Sequence, residues 1–263
     1  MKKRLQNIYK IIKQQGEVKV NELANFYHVT EKTIRMDLQQ LEDSGLIKRT
    51  HGGGKLADVS SPIYPSEAYN NSSTKEKEEI ALKAIEMIKP YDTIIFDDGT
   101  TNYEIAKRLG DFPLVVITND IRVASCLINK DNISIYFVGG TLTKQFGTAH
   151  TFVDTDQELN LLKNLQADYF FVGTNSISEN EGFMVFNNQV KNLKKTFMSI
   201  SKQTICVATS NKFDKASFVR FANFKDISTV ITDSSFNMYN LDRYSKHGLN
   251  IIVADRLEKQ NDK

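Results

Sequence analysis

Apolar positions along the chain follow two different periods. Up to Leu56 the spacing is helical. Leu5, Ile8 and Ile12 recur at steps of three and four and predict a first helix closing at Gln15-Gly16. Leu23, Ala24 and Tyr27 predict a shorter second helix that Asn21 can cap, with Val18 and Val20 flanking its start. Ile34, Leu38 and Leu41 fall at i, i+4 and i+7 and place one apolar stripe on a third helix over residues 30–44. Thr30 suits its N-cap, Glu31 its positive first turn, and Gly45 its stop. Residues 46–49, a Gly-rich turn and Lys55-Leu56 then read as a small basic hairpin, a wing beside a helix-turn-helix whose link is Tyr27-His28-Val29.

From Thr74 the pattern changes. Ile80, Ala84 and Ile88 mark a helix that stops before Pro90. Short β-branched runs follow at 93–96, 114–117, 133–138, 169–172, 204–208, 229–231 and 251–253, separated by helical segments. Such runs imply a mainly parallel sheet covered on both faces. Residues 57–73 hold two prolines, five serines and paired asparagines with little apolar periodicity, and read as a linker, in part ordered. The expected organisation is α/β: a winged helix-turn-helix over 1–56, the linker over 57–73, and a larger α/β body over 74–256.

Charge sharpens this division. The net charge of +2 combines a head with 11 Lys/Arg against 6 Asp/Glu over residues 1–55, hence +5, and a remainder with 23 against 26, hence −3. A basic head on a near-neutral body suits a DNA reader joined to something that does not touch DNA. Cys126 and Cys206 lie in apolar runs without metal-ligand spacing, so free buried thiols in a reducing cytoplasm are expected, with no metal and no cofactor. No apolar run nears membrane-spanning length, and Met1-Lys2-Lys3-Arg4 leads into an amphipathic helix rather than a signal segment. The chain is expected to be cytoplasmic, with no membrane partner.

Two helices with apolar stripes could be an ordinary helical hairpin; the basic exposed face, the wing and the three-helix context favour double-stranded DNA as partner. The expected DNA-facing residues are Thr30, Lys32, Thr33, Arg35, Met36 and Gln39 on the third helix, with Lys48, Arg49 and His51 in the wing. One such helix reads few base pairs, so a homo-oligomer, dimer or tetramer, is expected.

The polar punctuation of the body falls at the strand ends, where parallel sheets bind ligands. The first run empties into Asp97-Asp98-Gly99-Thr100-Thr101-Asn102, the second into Thr118-Asn119-Asp120, the third into Gly139-Gly140-Thr141, and the fifth into Thr209-Ser210-Asn211-Lys212-Phe213. A glycine, two hydroxyls and free N–H groups at a helix start form an anion site suited to phosphate. Each loop alone could be an ordinary strand-to-helix turn. Together with a lysine they point to a small phosphorylated ligand held by Asp97, Gly99, Thr100, Thr101, Thr118, Asn119, Gly139, Gly140 and Lys212.

Thr33-Ile34-Arg35-Met36-Asp37-Leu38, Arg49-Thr50-His51-Gly52-Gly53, and residues 97–101, with Thr118-Asn119, Gly139-Gly140 and Lys212-Phe213, resemble the DeoR type of bacterial transcriptional regulator over nearly the full length. The resemblance implies a body similar to the ribose-5-phosphate isomerase type. It also implies a repressor of sugar-metabolism genes released by a phosphorylated sugar. Arg35-Met36 stands where the family usually has two arginines, and Thr209-Ser210-Asn211-Lys212-Phe213 where it has Asp-Ser-Ser-Lys-Phe.

The alternative is a sugar-phosphate isomerase carrying a DNA-binding arm. Aldose–ketose isomerisation needs a positioned base, usually a carboxylate. No Asp or Glu occurs between Gly182 and Asp214, while Lys191, Lys194, Lys195, Lys202 and Lys212 all lie there, so no catalytic residue is assigned. Those lysines read either as a solvated helix face or as a seat for an effector richer in negative charge, such as a bisphosphate. A third reading is a regulator whose body has lost its ligand and serves only to oligomerise.

Overall fold

The computed structural model describes residues 2–43, 47–56, 74–145, 148–152, 156–186, 188–227 and 229–257. The chain divides into two compact units, 1–66 and 67–263. The expected linker over 57–73, and the helix stop at Gly45 with its neighbours Ser44 and Leu46, lie outside the described residues.

In the first unit, α1 (Lys2–Gln15), α2 (Val20–Tyr27) and α3 (Glu31–Asp43) pack their stripes together. Ile8, Ile12, Ile34, Leu38 and Leu41 are all fully buried. Arg4 of α1 grips Asp37 of α3 through two bonds of 2.6 and 3.1 Å, and Asp37 is buried. That bond to Asp37 raises the Arg4 pKa above its ordinary value, against the opposing effect of burial. Thr30 accepts the Thr33 N–H at 3.3 Å and so caps α3 as expected. Asn21 does not cap α2: the helix begins at Val20, with Lys19 extended before it, and the Asn21 Oδ1 accepts from Glu22 within the first turn.

The wing is β2 (Ile47–Thr50) and β3 (Gly53–Leu56), and β1 (Glu17–Lys19) adds to it in the order β1-β3-β2. Val18 thus belongs to a strand that three residues are too few to announce. Its pairing explains the glycine that opens β3. A Cβ on Gly53 would lie 1.8 Å from the Val18 carbonyl oxygen, whereas one on Gly52 meets nothing within 4 Å.

The second unit is built on a seven-stranded parallel sheet. Its strands are β4 (Thr93–Phe96), β5 (Leu114–Thr118), β6 (Ile133–Phe137), β9 (Ala167–Val172), β12 (Ser201–Val207), β14 (Thr229–Thr232) and β15 (Asn250–Val253). Helices α4 (Thr74–Ile85), α5 (Thr100–Arg108) and α6 (Ile121–Leu127) cover one face with Ile94, Phe96, Val116 and Phe171. Helices α7 (Asp156–Leu162), α8 (Asn188–Ser199) and α9 (Leu241–Ser245) lie with the other face, where Ile95, Ile117, Phe170 and Val172 point. Successive residues of one strand serve opposite cores, so the runs read as continuously apolar.

The seven β-branched runs of the sequence are these seven strands. The small antiparallel sheet of β10 (Ser176–Ser178), β11 (Gly182–Val185) and β13 (Val219–Ala222), and the hairpin β7 (Thr141–Gln145) and β8 (Thr148–Phe152), are additions the sequence did not signal. Gly139-Gly140 therefore leads into a hairpin, not into a helix. The sheet order β15-β14-β12-β9-β4-β5-β6 means that the chain winds outward from β4 through β5 to β6, then returns to β4's other side at β9. The switch point lies between β4 and β9, where open parallel sheets have their crevice.

The close approach at Gly53 sets a stability contrast. Gly53→Ala should lower the opening free energy of the head by about 1–3 kcal/mol, the range for overpacking, while Gly52→Ala should leave it nearly unchanged. Native-state hydrogen exchange of the α1 and α3 amides reads that free energy directly; equal values for both variants would refute the β1–β3 explanation.

Candidate functional site

α3 and the wing carry the residues expected to face DNA. Thr30, Lys32, Arg35 and Met36 are exposed, as are Lys48 and His51. Arg35 reaches back to Glu31 at 2.9 Å, an exposed i,i+4 pair worth a few tenths of a kcal/mol and easily given up to a phosphate or base. Thr33 is half-buried, and its hydroxyl lies 2.9 Å from that of Thr30. Gln39 and Arg49 behave differently from the rest. The Arg49 guanidinium donates to the Gln39 Oε1, and the Arg49 N–H donates to Glu42 at 2.8 Å. These two expected DNA contacts are thus engaged with each other and brace the wing against α3.

In the body, β4 ends in Asp97 and β9 in Gly173, and the two residues meet. Asp97 accepts the Gly173 N–H at 2.7 Å through Oδ2, while the Asp97 N–H donates to the Phe171 carbonyl at 3.2 Å. Lys194 of α8 donates to the same Asp97 Oδ2 and to the Gly173 carbonyl at 3.1 Å. Both charged side chains are almost wholly buried, at 2% and 4% exposure. Burial is the largest influence on Asp97 and lifts its carboxyl to about 7, against the pull of the Lys194 ammonium. Cys206 lies deeper in the same core, free and with its thiol pushed up by burial; Cys126 is also free but only half-buried.

Asp98, beside this pair, meets His150 of β8 at 3.4 Å. Burial pushes the Asp98 carboxyl up, yet His150, Lys194, Asp97 and Arg122 together hold it below its ordinary value. Asp120 caps α6 by accepting the Arg122 N–H at 2.9 Å, binds the Arg122 guanidinium at 2.6 Å, and takes the Gly99 N–H at 3.2 Å. One amide at the start of α5 is therefore already bound to a carboxylate. Asn119 donates to the Thr151 carbonyl at 3.1 Å and accepts the Thr151 N–H at 2.9 Å, and Thr118 accepts the Asp120 N–H at 3.1 Å. These bonds fasten the hairpin to the end of β5.

Of the nine residues expected at this edge, Gly99, Thr100, Thr101, Thr118 and Asn119 lie around the β4 and β5 ends. Asp97 is a buried strut rather than an open acceptor. Gly139 and Gly140 are exposed at the root of the hairpin, and Lys212 lies half-buried on a single 3-10 turn, Ser210–Lys212. The Ser210 N–H and hydroxyl of that turn are held by Asp233 at 2.5 and 3.0 Å. The ammonium at Asp97 comes from Lys194, on a helix whose other lysines, Lys191 and Lys195, are half-buried and exposed. Only its phase on the apolar side beside Leu193 and Phe197 could have singled it out. Asn102, on the first turn of α5, is fully buried with neither amide atom hydrogen-bonded among the described residues, and the Asn119 Oδ1 is likewise unpartnered.

Lys194→Met would leave Asp97 buried without its counter-charge and should destabilise the body by about 3–5 kcal/mol. Adding Asp97→Asn should recover part of that loss, with a coupling of about 0.5–3 kcal/mol in the double-mutant cycle. Denaturant unfolding of the body measures both; additive effects would dissociate the two side chains.

Comparison with known proteins follows the same two-part division. The model of the DeoR-like helix-turn-helix domain matches residues 4–59 and that of the DeoR C terminal sensor domain residues 72–234. The HTH-type transcriptional regulator YulB of Bacillus subtilis is 34% identical over 89% of this chain and 89% of its own. The lactose phosphotransferase system repressor of Lactococcus lactis is 30% identical over 97% and 99%. The L-fucose operon activator of Haemophilus influenzae is 29% identical over 89% and 92%. Among solved structures, the probable sor operon regulator of Shigella flexneri aligns over 68% of this chain and 89% of its own, at 10% identity and a TM-score of 0.44. Ribose 5-phosphate isomerase A of Methanocaldococcus jannaschii aligns over 54% and 55%, at 13% identity and 0.40. With its head and its body each matched, and relatives named as transcriptional regulators that share most of its length, this chain belongs to the DeoR family of DNA-binding transcriptional regulators and is not an enzyme.

Proposed function

We propose that the protein represses sugar-metabolism genes and that a phosphorylated sugar, bound at the β4–β5–β12 edge of the body, controls its hold on the operator. The observation that carries this reading is the set of uncommitted polar groups at the switch point. The carboxylates there are compensated by Lys194, Arg122 and His150. What they leave is the first turn of α5 with Thr100 and Thr101, the buried amide of Asn102 and the Oδ1 of Asn119. A phosphate gains from helix N–H groups and their dipole, and sugar hydroxyls can satisfy buried amides that otherwise carry a desolvation cost. Lys212 follows β12, two strand spacings or about 10 Å from β4, within reach of an anion seated between them. The names of two relatives, a repressor of a lactose system and an activator of an L-fucose operon, fit control by sugars. In the head, Lys32, Arg35 and Met36 are the residues proposed to face the major groove, with Lys48 and His51 on the flanking backbone. Paired heads in a homo-oligomer supply the specificity that one helix lacks.

Two measurements test this. A thermal-shift panel of phosphorylated sugars identifies the effector, because a ligand that binds only the folded state raises its stability. Lys212→Ala should then weaken that effector by about 1.5–3 kcal/mol, the range for hydrogen bonds to charged groups, while operator affinity without effector stays as in wild type. A variant that responds at wild-type effector concentrations removes Lys212 from the site. For the head, Arg35→Ala should cost about 1–3 kcal/mol of operator binding if it contacts a base, read by gel-shift titration; unchanged affinity would move the recognition surface away from α3.

A further inference from the structure

A second charged feature lies at the opposite end of the sheet from the crevice, where β12 begins. A groove of about 970 Å³ runs between α8, the start of β12 and β13. Lys191 and Lys195 lie one turn apart on α8, Lys202 opens β12, Arg220 lies on β13, and Lys225 follows it in the loop. Asp226 is the one carboxylate among the lining residues, and the Asn223 N–H and side-chain amide donate to it at 2.8 and 3.1 Å. Lys202 pairs with Asp168 at 2.7 Å; among the described residues the other four cations make no ion pair. Residues 56–263 carry 23 Lys/Arg against 26 Asp/Glu, so this concentration of unpaired positive charge is local.

We infer that this groove is a second DNA contact, which takes the phosphate backbone beside the site gripped by the heads. A small anion is held by donors that converge and are shielded from water. Here Lys195, Arg220 and Lys225 are exposed and spread over a helix, a strand and a loop. Such dispersed, solvated cations gain most from a polyanion, where each neutralised phosphate releases condensed counterions. Covalent linkage to the head also favours the encounter. Residues 57–73 span at most about 60 Å when fully extended, so a bound head keeps the groove at high effective concentration near the flanking duplex. No base-edge reader is needed, and the contact adds affinity without sequence preference.

The experiment compares the full chain with its Lys195→Gln/Arg220→Gln/Lys225→Gln variant on arbitrary-sequence duplexes of about 60 and about 20 base pairs, titrated across salt. On the long duplex the slope of log K against log salt should flatten by about 0.9 for each lost phosphate contact, hence by two to three in all. On the short one, which offers little backbone beyond the heads, it should change little. Three exposed side chains are replaced, and an unchanged thermal melt certifies the fold; the single reversal Lys195→Glu should weaken the long-duplex complex in the same direction. Identical slopes on the long duplex overturn the proposal. So does inorganic phosphate stabilising the wild type but not the variant, which would make the groove a small-anion site. A changed sedimentation coefficient of the variant with unchanged slopes would assign the groove to the acidic surface of a second copy instead.

Discussion

A buried carboxylate and a buried ammonium meet where the body's sheet reverses its winding, and the rest of the crevice is arranged around them. Asp97 leaves β4 and Gly173 leaves β9 on neighbouring strands. Their link through the Asp97 carboxylate and the Lys194 ammonium closes the switch point at its base. Replacing Gly173 would bring a Cβ to 3.4 Å from both the Asp97 carboxylate and the Asp98 carbonyl, so the strand ends lie in van der Waals contact. A desolvated pair of this kind is a poor source of net stability but a strong constraint on geometry, because either charge left alone is costly. Around the committed Asp97, Asp120 holds the Arg122 guanidinium and the Gly99 N–H, and His150 lies against Asp98.

The head obeys a different constraint. Its three helices bury one apolar stripe each, and the Arg4–Asp37 pair fixes α1 on α3. The wing is held from two sides: β1 presses on Gly53, and Gln39 with Glu42 binds Arg49. The helix and wing so braced carry Lys32, Arg35, Met36, Lys48 and His51, all exposed.

Much of this was legible in the sequence, for physical reasons. Helical stripes of Ile, Leu and Val, and β-branched runs buried on both faces, are signals strong enough to survive without tertiary knowledge. The turn residues after β4, β5 and β12 marked the strand ends because such loops need glycine, hydroxyls and caps. What escaped notice depends on contacts remote in sequence. Lys194 looks like its neighbours on α8 until Asp97, far away along the chain, gives it a partner. Gln39 and Arg49 are expected DNA contacts, and only the folding of the wing onto α3 shows them bonded to each other. Gly139-Gly140 gives no sign that a hairpin follows, because its threonine-rich strands show no marked alternation. Three-residue strands such as β1 and β10 carry too few positions to display a period.

Control of DNA by a sugar phosphate requires the ligand to favour one state of the chain over another, and only its differential affinity can do so. The crevice is the place where such a ligand would act on several strand ends at once. Amide hydrogen exchange of the full chain, with and without the sugar phosphate that raises its melting temperature, tests that placement most directly. Protection should rise at the first turn of α5, at Thr118-Asn119 and across the Ser210–Lys212 turn, and remain unchanged at the Arg220–Lys225 groove. Protection confined to the groove, or absent from α5, would contradict an effector site at the switch point.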